Sequence, residues 1–277
     1  MAAVLALLSS MVWGTGDFCG GLLSRRRNAV AVVIAMQWFG LLTIAAWSLL
    51  TDAWAFGSFV WAGVGAGVAG TLGLMAFYRA LAIGTMGIVA PIAALAVVVP
   101  LVYGLTRGES PSAIQWASIV VAIVGVIAAS GPELSGGSSP RPLILASVAA
   151  LLFGVALAFM ASGAVSAGGS PAMTILTMRV VQVLIGLGIW AHWRGVGGIT
   201  RGDLPLAATT GVFDVSANLM YAVAAAIGPI TIVAVLGSMM PVATALLGRL
   251  FLHERLTGLQ YAGIALALLG AVGISAG

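Results

Sequence analysis

Apolar runs long enough to cross a lipid bilayer follow one another along nearly the whole of this 277-residue chain. A membrane-spanning helix needs about 20 predominantly apolar residues. Glycine, proline, arginine and short polar turns divide the sequence into ten such segments. They cover roughly residues 2–24, 28–50, 59–83, 86–106, 112–131, 142–165, 171–193, 204–227, 229–252 and 257–276. Pro91, Pro100 and Pro241 fall inside these segments and predict kinks or local unwinding there. The sequence therefore predicts an all-α polytopic membrane protein with ten transmembrane helices.

The scarcity of charge supports the same class of protein. Charged residues make up 6% of the chain and hydrophobic residues 61%, whereas a soluble domain is roughly a quarter charged. The net charge of +4 comes from eleven arginines with no lysine, and these lie singly or in one short run between apolar segments. That distribution is typical of topology determinants at a membrane surface rather than of a nucleic-acid binder. We expect the cell membrane (inner or plasma) as the location and the lipid bilayer, not nucleic acid, as a partner.

Residues that bind metals and cofactors are scarce. The lone cysteine, Cys19, excludes an intrachain disulfide and a thiolate metal cluster. His192 and His253 are too few and too far apart to suggest a metal site. A G-x-G-x-x-G pattern at 65–70 lies inside an apolar helix, not between a strand and a helix, so it indicates a helix-packing face instead of a nucleotide site. We expect no catalytic residues, no metal and no cofactor.

The two ends of the chain match each other. Residues 109–131 lie over 254–276, and a polar segment near the middle separates the halves. The matched pairs include Glu109 with Glu254, Gln115 with Gln260, and Gly125 with Gly270. We therefore predict a five-helix unit at 1–131, a linker at 132–141 and a second five-helix unit at 142–277. Five is odd, so the second unit enters the membrane from the opposite side, giving the inverted repeat that many secondary transporters use.

A polar stripe interrupts the eighth apolar segment. Asp214, Asn218 and Tyr221 are four and three residues apart and share one face of a helix. Facing lipid would leave their polar groups unsatisfied, so the stripe is predicted to face the interior. By counting about 1.5 Å per residue, Asp214 lies near the midplane and Arg179 about 5 Å from it. An unpaired charge there costs at least about 2.5–3.5 kcal/mol, so the two are predicted to form an ion pair.

A second pair of opposite charges is predicted between the first and third helices. Asp17 and Arg79 lie about 7 and 12 Å from the midplane, toward the same face. Two interpretations are open: the ion pairs only hold helices together, or at least one carboxylate faces a cavity. We favour the second, because ionisable groups at this depth usually line a pathway. For Trp13, near the middle of its helix, core packing is the main interpretation and ligand contact the alternative.

Two glutamates at matching positions suggest capping rather than catalysis. Glu109 and Glu254 lie in polar junctions just before Ser110 and Thr257, which are candidate caps of the fifth and tenth helices. In inverted halves they would lie on opposite membrane faces, at least about 30 Å apart. They are therefore not expected to act together on one bond.

The two halves resemble the EamA-type branch of the drug/metabolite transporter superfamily over nearly the whole chain. The residues that carry the resemblance are Trp13-Gly14 with Asp17-Phe18, Tyr78-Arg79-Ala80-Leu81, Gly108-Glu109, Asp214 with Ala217-Asn218 and Tyr221, and Glu254-Arg255-Leu256. The resemblance implies a small-molecule permease, often an exporter of amino acids or other metabolites, and not an enzyme. We expect alternating access, a small-molecule substrate, and a monomer or homodimer.

The candidate residues for substrate binding or coupling are Trp13, Asp17, Tyr78, Asp214, Asn218 and Tyr221. Two other functions are kept as alternatives. One is a lipid-carrier flippase, and the weaker one is a membrane-embedded enzyme that modifies lipids.

Two features of the sequence give opposite predictions for the side of the membrane on which the termini lie. Junctions after odd-numbered helices hold or adjoin most of the arginines, namely 25, 26, 27, 79, 141, 194, 201, 249 and 255, and the opposite side has 107 and 179. The positive-inside rule then places both termini outside. The family resemblance implies both termini in the cytoplasm.

Overall fold

The computed structural model describes residues 1–24, 26–83, 92–129, 140–166, 168–192, 198–251 and 257–276. These parts of the chain form ten helices and no strand. The helices are α1 (Ala2–Ser24), α2 (Ala29–Leu50), α3 (Phe59–Ile83), α4 (Ile92–Thr106), α5 (Ala113–Ala129), α6 (Pro140–Val165), α7 (Pro171–His192), α8 (Leu204–Ile227), α9 (Ile230–Phe251) and α10 (Gly258–Ala276). Eight of them are long and apolar enough to cross a membrane, and α4 and α5 are shorter apolar helices. The prediction of an all-α, multi-pass membrane protein is confirmed.

The helices α5 and α10 begin with the same capping box, at matching positions of the two halves. In α5 the backbone N–H of Ser112 donates to Gln115 Oε1 (2.9 Å), and the N–H of Gln115 donates to Ser112 Oγ (3.2 Å). In α10 the N–H groups of Thr257 and Gln260 donate to each other's side chains at 2.9 and 3.3 Å. Each box satisfies two N–H groups that the first turn leaves without partners. Ser110 was therefore the wrong cap for α5, and Thr257 was the right one for α10.

The sixth helix begins earlier than the sequence suggested. Pro140 and Arg141 are its first residues, although they were assigned to the linker or its edge. A proline in the first helical turn lacks an N–H that would have no partner there, and its fixed φ suits the helix. Of the predicted linker, residues 132–139 lie outside the described residues.

Both fourth helices of the two halves are interrupted near a proline. In α4 a 3₁₀ turn at Leu95–Val97 precedes Pro100. In α9 the helix breaks into α9a (Ile230–Gly237) and α9b (Met240–Phe251), directly before Pro241. Proline removes one intrahelical hydrogen bond and clashes with the carbonyl four residues earlier, which is why each break lies on the N-terminal side of its proline. Pro91 lies outside the described residues.

Several helix contacts of the first half recur between the corresponding helices of the second half. In the first half, α3 packs against α6 and α7; in the second, α8 packs against α1 and α2. Likewise α1 contacts α9 as α6 contacts α4, while α2 with α7, α4 with α9, and α5 with α10 pair each helix with its own counterpart. Among the described residues α6 also packs against α8, without an equally extensive contact between their counterparts α1 and α3, so the recurrence is partial.

Glycines on α3 allow the close contacts with α6 and α7. A Cβ on Gly63 would lie 2.6 Å from the Cβ of Thr177, and one on Gly67 would lie 2.7 Å from the Cβ of Val181. A Cβ on Gly65 would meet the Phe159 ring at 2.7 Å. Small residues at such spacing let helix backbones approach closely in lipid. The glycine pattern at 65–70 is thus a helix-packing face.

Candidate functional site

A buried arginine lies at the centre of a polar cluster that joins three helices. Arg179 on α7 is 1% exposed. Its Nη1 donates to Gln37 Oε1 on α2 and to Gln182 Oε1 on α7, the latter at 3.2 Å. Its Nη2 donates to Asp214 Oδ2 on α8, with which it forms an ion pair. A buried charge is tolerated when it is both paired and hydrogen-bonded, and this cluster supplies both conditions.

Two glycines make room for this arginine between α2 and α8. A Cβ on Gly40 would lie 3.4 Å from Arg179 Nε. A Cβ on Gly211 would lie 3.1 Å from the backbone nitrogen of Gly40. The two helices therefore approach closely just where the guanidinium crosses between them. Within the described residues Arg179 Nε has no hydrogen-bond partner.

Asp214 connects the buried cluster with a more accessible region. The side chain of Asp214 is 22% exposed, against 1% for Arg179. Asn218, one turn further along α8, is buried, and its Nδ2 donates to the backbone carbonyl of Asp214 (2.6 Å). The Asn218 amide thus bonds to the backbone of α8 and not to the Asp214 carboxylate. The carboxylate pairs with Arg179 and is otherwise partly exposed.

Asp17 lies on the strip of α1 between the faces that contact α8 and α9b. A Cβ on Gly16 would lie 3.6 Å from the backbone nitrogen of Asp214, so that side of α1 faces α8. A Cβ on Gly14 would lie 2.6 Å from the Cβ of Ala243, so that side faces α9b. Asp17 falls between these two directions and its side chain is exposed.

The exposure of the residues on this strip of α1 increases from the N-terminal to the C-terminal end of the helix. Ala6 and Ser10 are buried, Trp13 is half-buried, and Asp17 and Gly21 are exposed. A Cβ added to Gly21 would meet nothing within 4 Å. The strip is therefore open toward the C-terminal end of α1 and closed toward its N-terminal end.

An aromatic pair lies at the closed end. The rings of Trp13 and Tyr221 have centroids 5.7 Å apart at an interplanar angle of 43°. Tyr221 is fully buried, and a Cβ on Gly237 would lie 3.0 Å from its ring. The Tyr221 hydroxyl has no hydrogen-bond partner among the described residues. The pair separates Asp17 from the buried end of the strip.

The structure does not bring Asp17 and Arg79 together, so that predicted pair is corrected. Arg79 is exposed and lines a separate cleft of about 340 Å³ with Arg141 of α6. The two residues lie on helices with different neighbours: α3 packs against α6 and α7, whereas α1 packs against α8 and α9. Counting residues gives depth in the membrane but not which helices are neighbours. The side chain of Tyr78 lies outside the described residues.

Sequence reasoning missed Gln37 and Gln182. Both are buried amides in the middle of apolar helices, and both accept from Arg179. The signal that would have found them is the donor count of arginine. A guanidinium has five N–H donors, and a single carboxylate leaves several of them without acceptors.

Glu109 performs a capping role, but for a different helix from the one expected. Its Oε1 accepts from the N–H of Ile230 (2.6 Å) and its Oε2 from the N–H of Thr231 (2.8 Å). Pro229, at the N-cap of α9a, offers no side-chain hydrogen bond. A carboxylate is favourable at this positive end of the helix dipole. Glu109, from the first half, therefore caps α9a of the second half; Glu254 lies outside the described residues.

These features define a class: a multi-pass α-helical membrane protein with charged groups held at its centre. The sequence profile of the EamA-like transporter family matches residues 1–131 and again residues 141–276. The chain belongs to the EamA-like transporter family and contains two of its repeats. It is therefore assigned to a family of membrane transporters, not of enzymes.

Comparison of structures shows the same fold elsewhere. A crystal structure described only as that of a protein matches with a TM-score of 0.83 and 14% sequence identity. The match covers 99% of this chain and 96% of that one, and at this identity it shows the fold alone. Comparison with curated proteins gives no match.

Proposed function

We propose that the protein is a secondary transporter, a permease that moves a small metabolite such as an amino acid or a cationic compound across the cell membrane. The observation that carries the proposal is the central charged site. A partly exposed Asp214, paired with the buried Arg179, lies where α8 packs against α1, the helix that carries the exposed Asp17. Ionisable groups at this depth are costly, and in membrane proteins they usually mark a substrate or ion pathway.

Alternating access between two inverted halves is the mechanism we propose. Three observations support it. Several helix contacts recur between corresponding helices of the two halves, α4 and α9 are both interrupted, and the strip of α1 that carries Asp17 is open at one end and closed at the other. Discontinuous helices at a repeat interface are a recurring feature of secondary transporters. The sequence has no lysine and hence no P-loop lysine, so a gradient is the proposed energy source.

Transport in proteoliposomes tests the proposal. Purified protein is reconstituted and assayed for uptake and efflux of a metabolite panel, with and without a pH gradient. We expect at least one compound to move with the wild type, and its rate to fall at least about tenfold in Asp214→Asn, since a tenfold change corresponds to only about 1.4 kcal/mol. Asp52→Asn, on an exposed turn, is the matched control and should transport normally.

Three results would argue against this function. One is wild-type rates and pH dependence in a correctly inserted Asp214→Asn variant. A second is movement of labelled lipid between leaflets with no metabolite transport, which would favour the flippase alternative. The third is a chemically altered lipid after incubation with the pure protein, which would favour the enzyme.

A further inference from the structure

We propose that the transported metabolite is a monovalent organic cation, bound by the carboxylate of Asp17 beside the indole of Trp13. The inference rests on the proposed transport function and narrows its substrate class. It follows from the charge balance at the centre of the molecule, the prior engagement of Arg179, and the position of Trp13.

Among the described residues, the central site holds two carboxylates, Asp17 and Asp214, and one guanidinium, Arg179. Within that part of the chain the Asp17 carboxylate has no guanidinium paired with it. Another arginine on a helix that packs against α1 is Arg249 of α9b, which is exposed. It lies five residues from Thr244, whose hydroxyl donates to the Gly14 carbonyl (3.1 Å), so Arg249 is on a different face of α9b from the contact with α1.

Arg179 is already engaged within the protein through its Nη hydrogen-bond donors. Its two Nη groups donate to Gln37, Gln182 and Asp214, and the side chain is 1% exposed. It is therefore not available to a substrate carboxylate. An anionic ligand would lie beside the Asp17 carboxylate with no available guanidinium among the described residues. A zwitterion would place its own carboxylate in the same surroundings, without a cationic partner.

Asp17 is exposed on the strip between α8 and α9b and shows no ion pair within the described residues. Trp13 lies four residues earlier on the same strip and is half-buried. An aromatic face attracts weakly hydrated cations, and Trp is the best of the aromatic residues for this purpose. A carboxylate one helical turn from an indole thus favours an alkylated ammonium over a neutral or anionic compound.

A ligand-free measurement tests the charge. In a Cys19→Ser background, Gly21→Cys places a thiol one turn beyond Asp17, where an added Cβ meets nothing within 4 Å. Its reaction rates with a cationic and an anionic methanethiosulfonate are compared. Arg26 and Arg27 lie at the same end of α1, so the absolute ratio of the two rates reflects both signs of charge, and the change of this ratio on Asp17→Asn measures the charge of Asp17.

Introducing Asp17→Asn should lower this ratio at least severalfold, while Asp52→Asn leaves it unchanged. A ratio that is the same with and without the Asp17→Asn substitution would overturn the proposal. Because the readout is chemical labelling, it does not depend on transport.

Binding of matched probes tests the substrate class. Choline, its uncharged isostere 3,3-dimethylbutan-1-ol and zwitterionic glycine betaine are titrated into the nanodisc-embedded protein by calorimetry. We expect choline alone to bind, and Asp17→Asn to weaken it at least about tenfold, while Asp52→Asn has no effect. Failure of the wild type to bind choline, or equal binding of either other probe, contradicts the inference.

The two proposals fail in different ways. A protein that binds choline through Asp17 but moves no compound in proteoliposomes keeps the cation site and loses the transport function. A protein that transports an anion or a zwitterion keeps the function and loses the cation site.

Discussion

At the scale of single residues, Arg179 and Asp214 are partners of unequal burial. The arginine side chain is 1% exposed and the aspartate side chain 22%. Removing either charge leaves the other without its partner, but the two remaining charges lie in different surroundings. The guanidinium is enclosed among α2, α7 and α8, whereas the carboxylate is partly exposed.

This difference in burial predicts which single substitution of the pair destabilises the protein more. Asp214→Asn should lower the thermal midpoint in detergent more than Arg179→Gln, because it leaves the more deeply buried charge uncompensated. The double variant should be more stable than the sum of the single losses predicts, with a coupling energy of about 0.5–3 kcal/mol. Additive losses, or a larger loss in Arg179→Gln, would show that the pair is not the main interaction of either residue.

The hydroxyl of Tyr221 gives a prediction of the opposite sign. It is buried and has no hydrogen-bond partner among the described residues, while its ring packs against Trp13. A buried, unsatisfied hydroxyl costs roughly 1–3 kcal/mol, so Tyr221→Phe should keep or raise the thermal midpoint. If the hydroxyl binds substrate or a gating residue in another state of the cycle, transport will fall in the same variant. A marked loss of stability would mean that the hydroxyl has a partner after all.

The residue types of the central site and their depths in the membrane were predictable from the sequence. Which helices lie side by side was only partly predictable. Spacing placed Asp214, Asn218 and Tyr221 on one face of α8, and depth brought Asp214 and Arg179 to the same level. Depth alone equally favoured Asp17 with Arg79, which lie on helices that pack against different partners. Gln37 could not be chosen from the sequence because nothing in a single segment shows that α2 lies against α7.

At the scale of helices, α5 and α10 pack closely because each contributes a glycine that lies against the backbone of the other. A Cβ on Gly125 would lie 2.8 Å from the Ala267 Cα, and one on Gly270 would lie 2.7 Å from the Ala122 Cα. The obstructing atoms belong to the backbone, so a larger side chain cannot be accommodated by a rotamer change. The two glycines also match each other in the duplicated sequence.

Gly125→Leu should therefore destabilise the protein by about 1–3 kcal/mol, the usual cost of overpacking a close contact. Gly188→Leu on α7 is the control, because an added Cβ there meets nothing within 4 Å. Unfolding of both variants in mixed micelles measures the difference. Equal stability of the two would mean that α5 and α10 separate easily.

Helix number and breaks followed from the sequence, whereas some helix ends did not. Apolar length gave the ten helices, and the prolines gave the interruptions of α4 and α9. The start of α6 at Pro140 and the cap of α5 at Ser112 were misplaced. These ends depend on which of several adjacent polar residues completes a hydrogen bond, and neighbouring candidates differ by fractions of a kcal/mol to about 1 kcal/mol.

At the scale of the whole molecule, the arginines are divided unequally between the two ends of the bundle. The turn after α1 and the turn before α8 lie together, since Arg27 Nε is 2.8 Å from Asp203 Oδ2 and Arg27 Nη2 donates to Thr200 (3.2 Å). Arg26 and Arg201 belong to the same end. Arg107 lies at the other end, in a cleft of about 260 Å³ beside the start of α9.

We therefore expect the arginine-rich end in the cytoplasm and both termini outside, against the orientation that the family resemblance implies. A C-terminal alkaline phosphatase fusion should be active and a C-terminal fluorescent fusion dark. Because the strip of α1 opens toward the arginine-rich end, the thiol introduced by Gly21→Cys should then react from the cytoplasmic side. A bright fluorescent fusion without phosphatase activity would reverse the orientation.

The cap that Glu109 supplies to α9a has a consequence for the order of synthesis. The carboxylate emerges from the ribosome about 120 residues before the N–H groups of Ile230 and Thr231 that it will accept from. Until then the first half contains a solvated acidic side chain with no helix to bind, and a nascent chain that ends before residue 230 has no means of completing that contact. The final arrangement of the α4–α5 junction is thus a late event in biogenesis, although the residues that form it are made early.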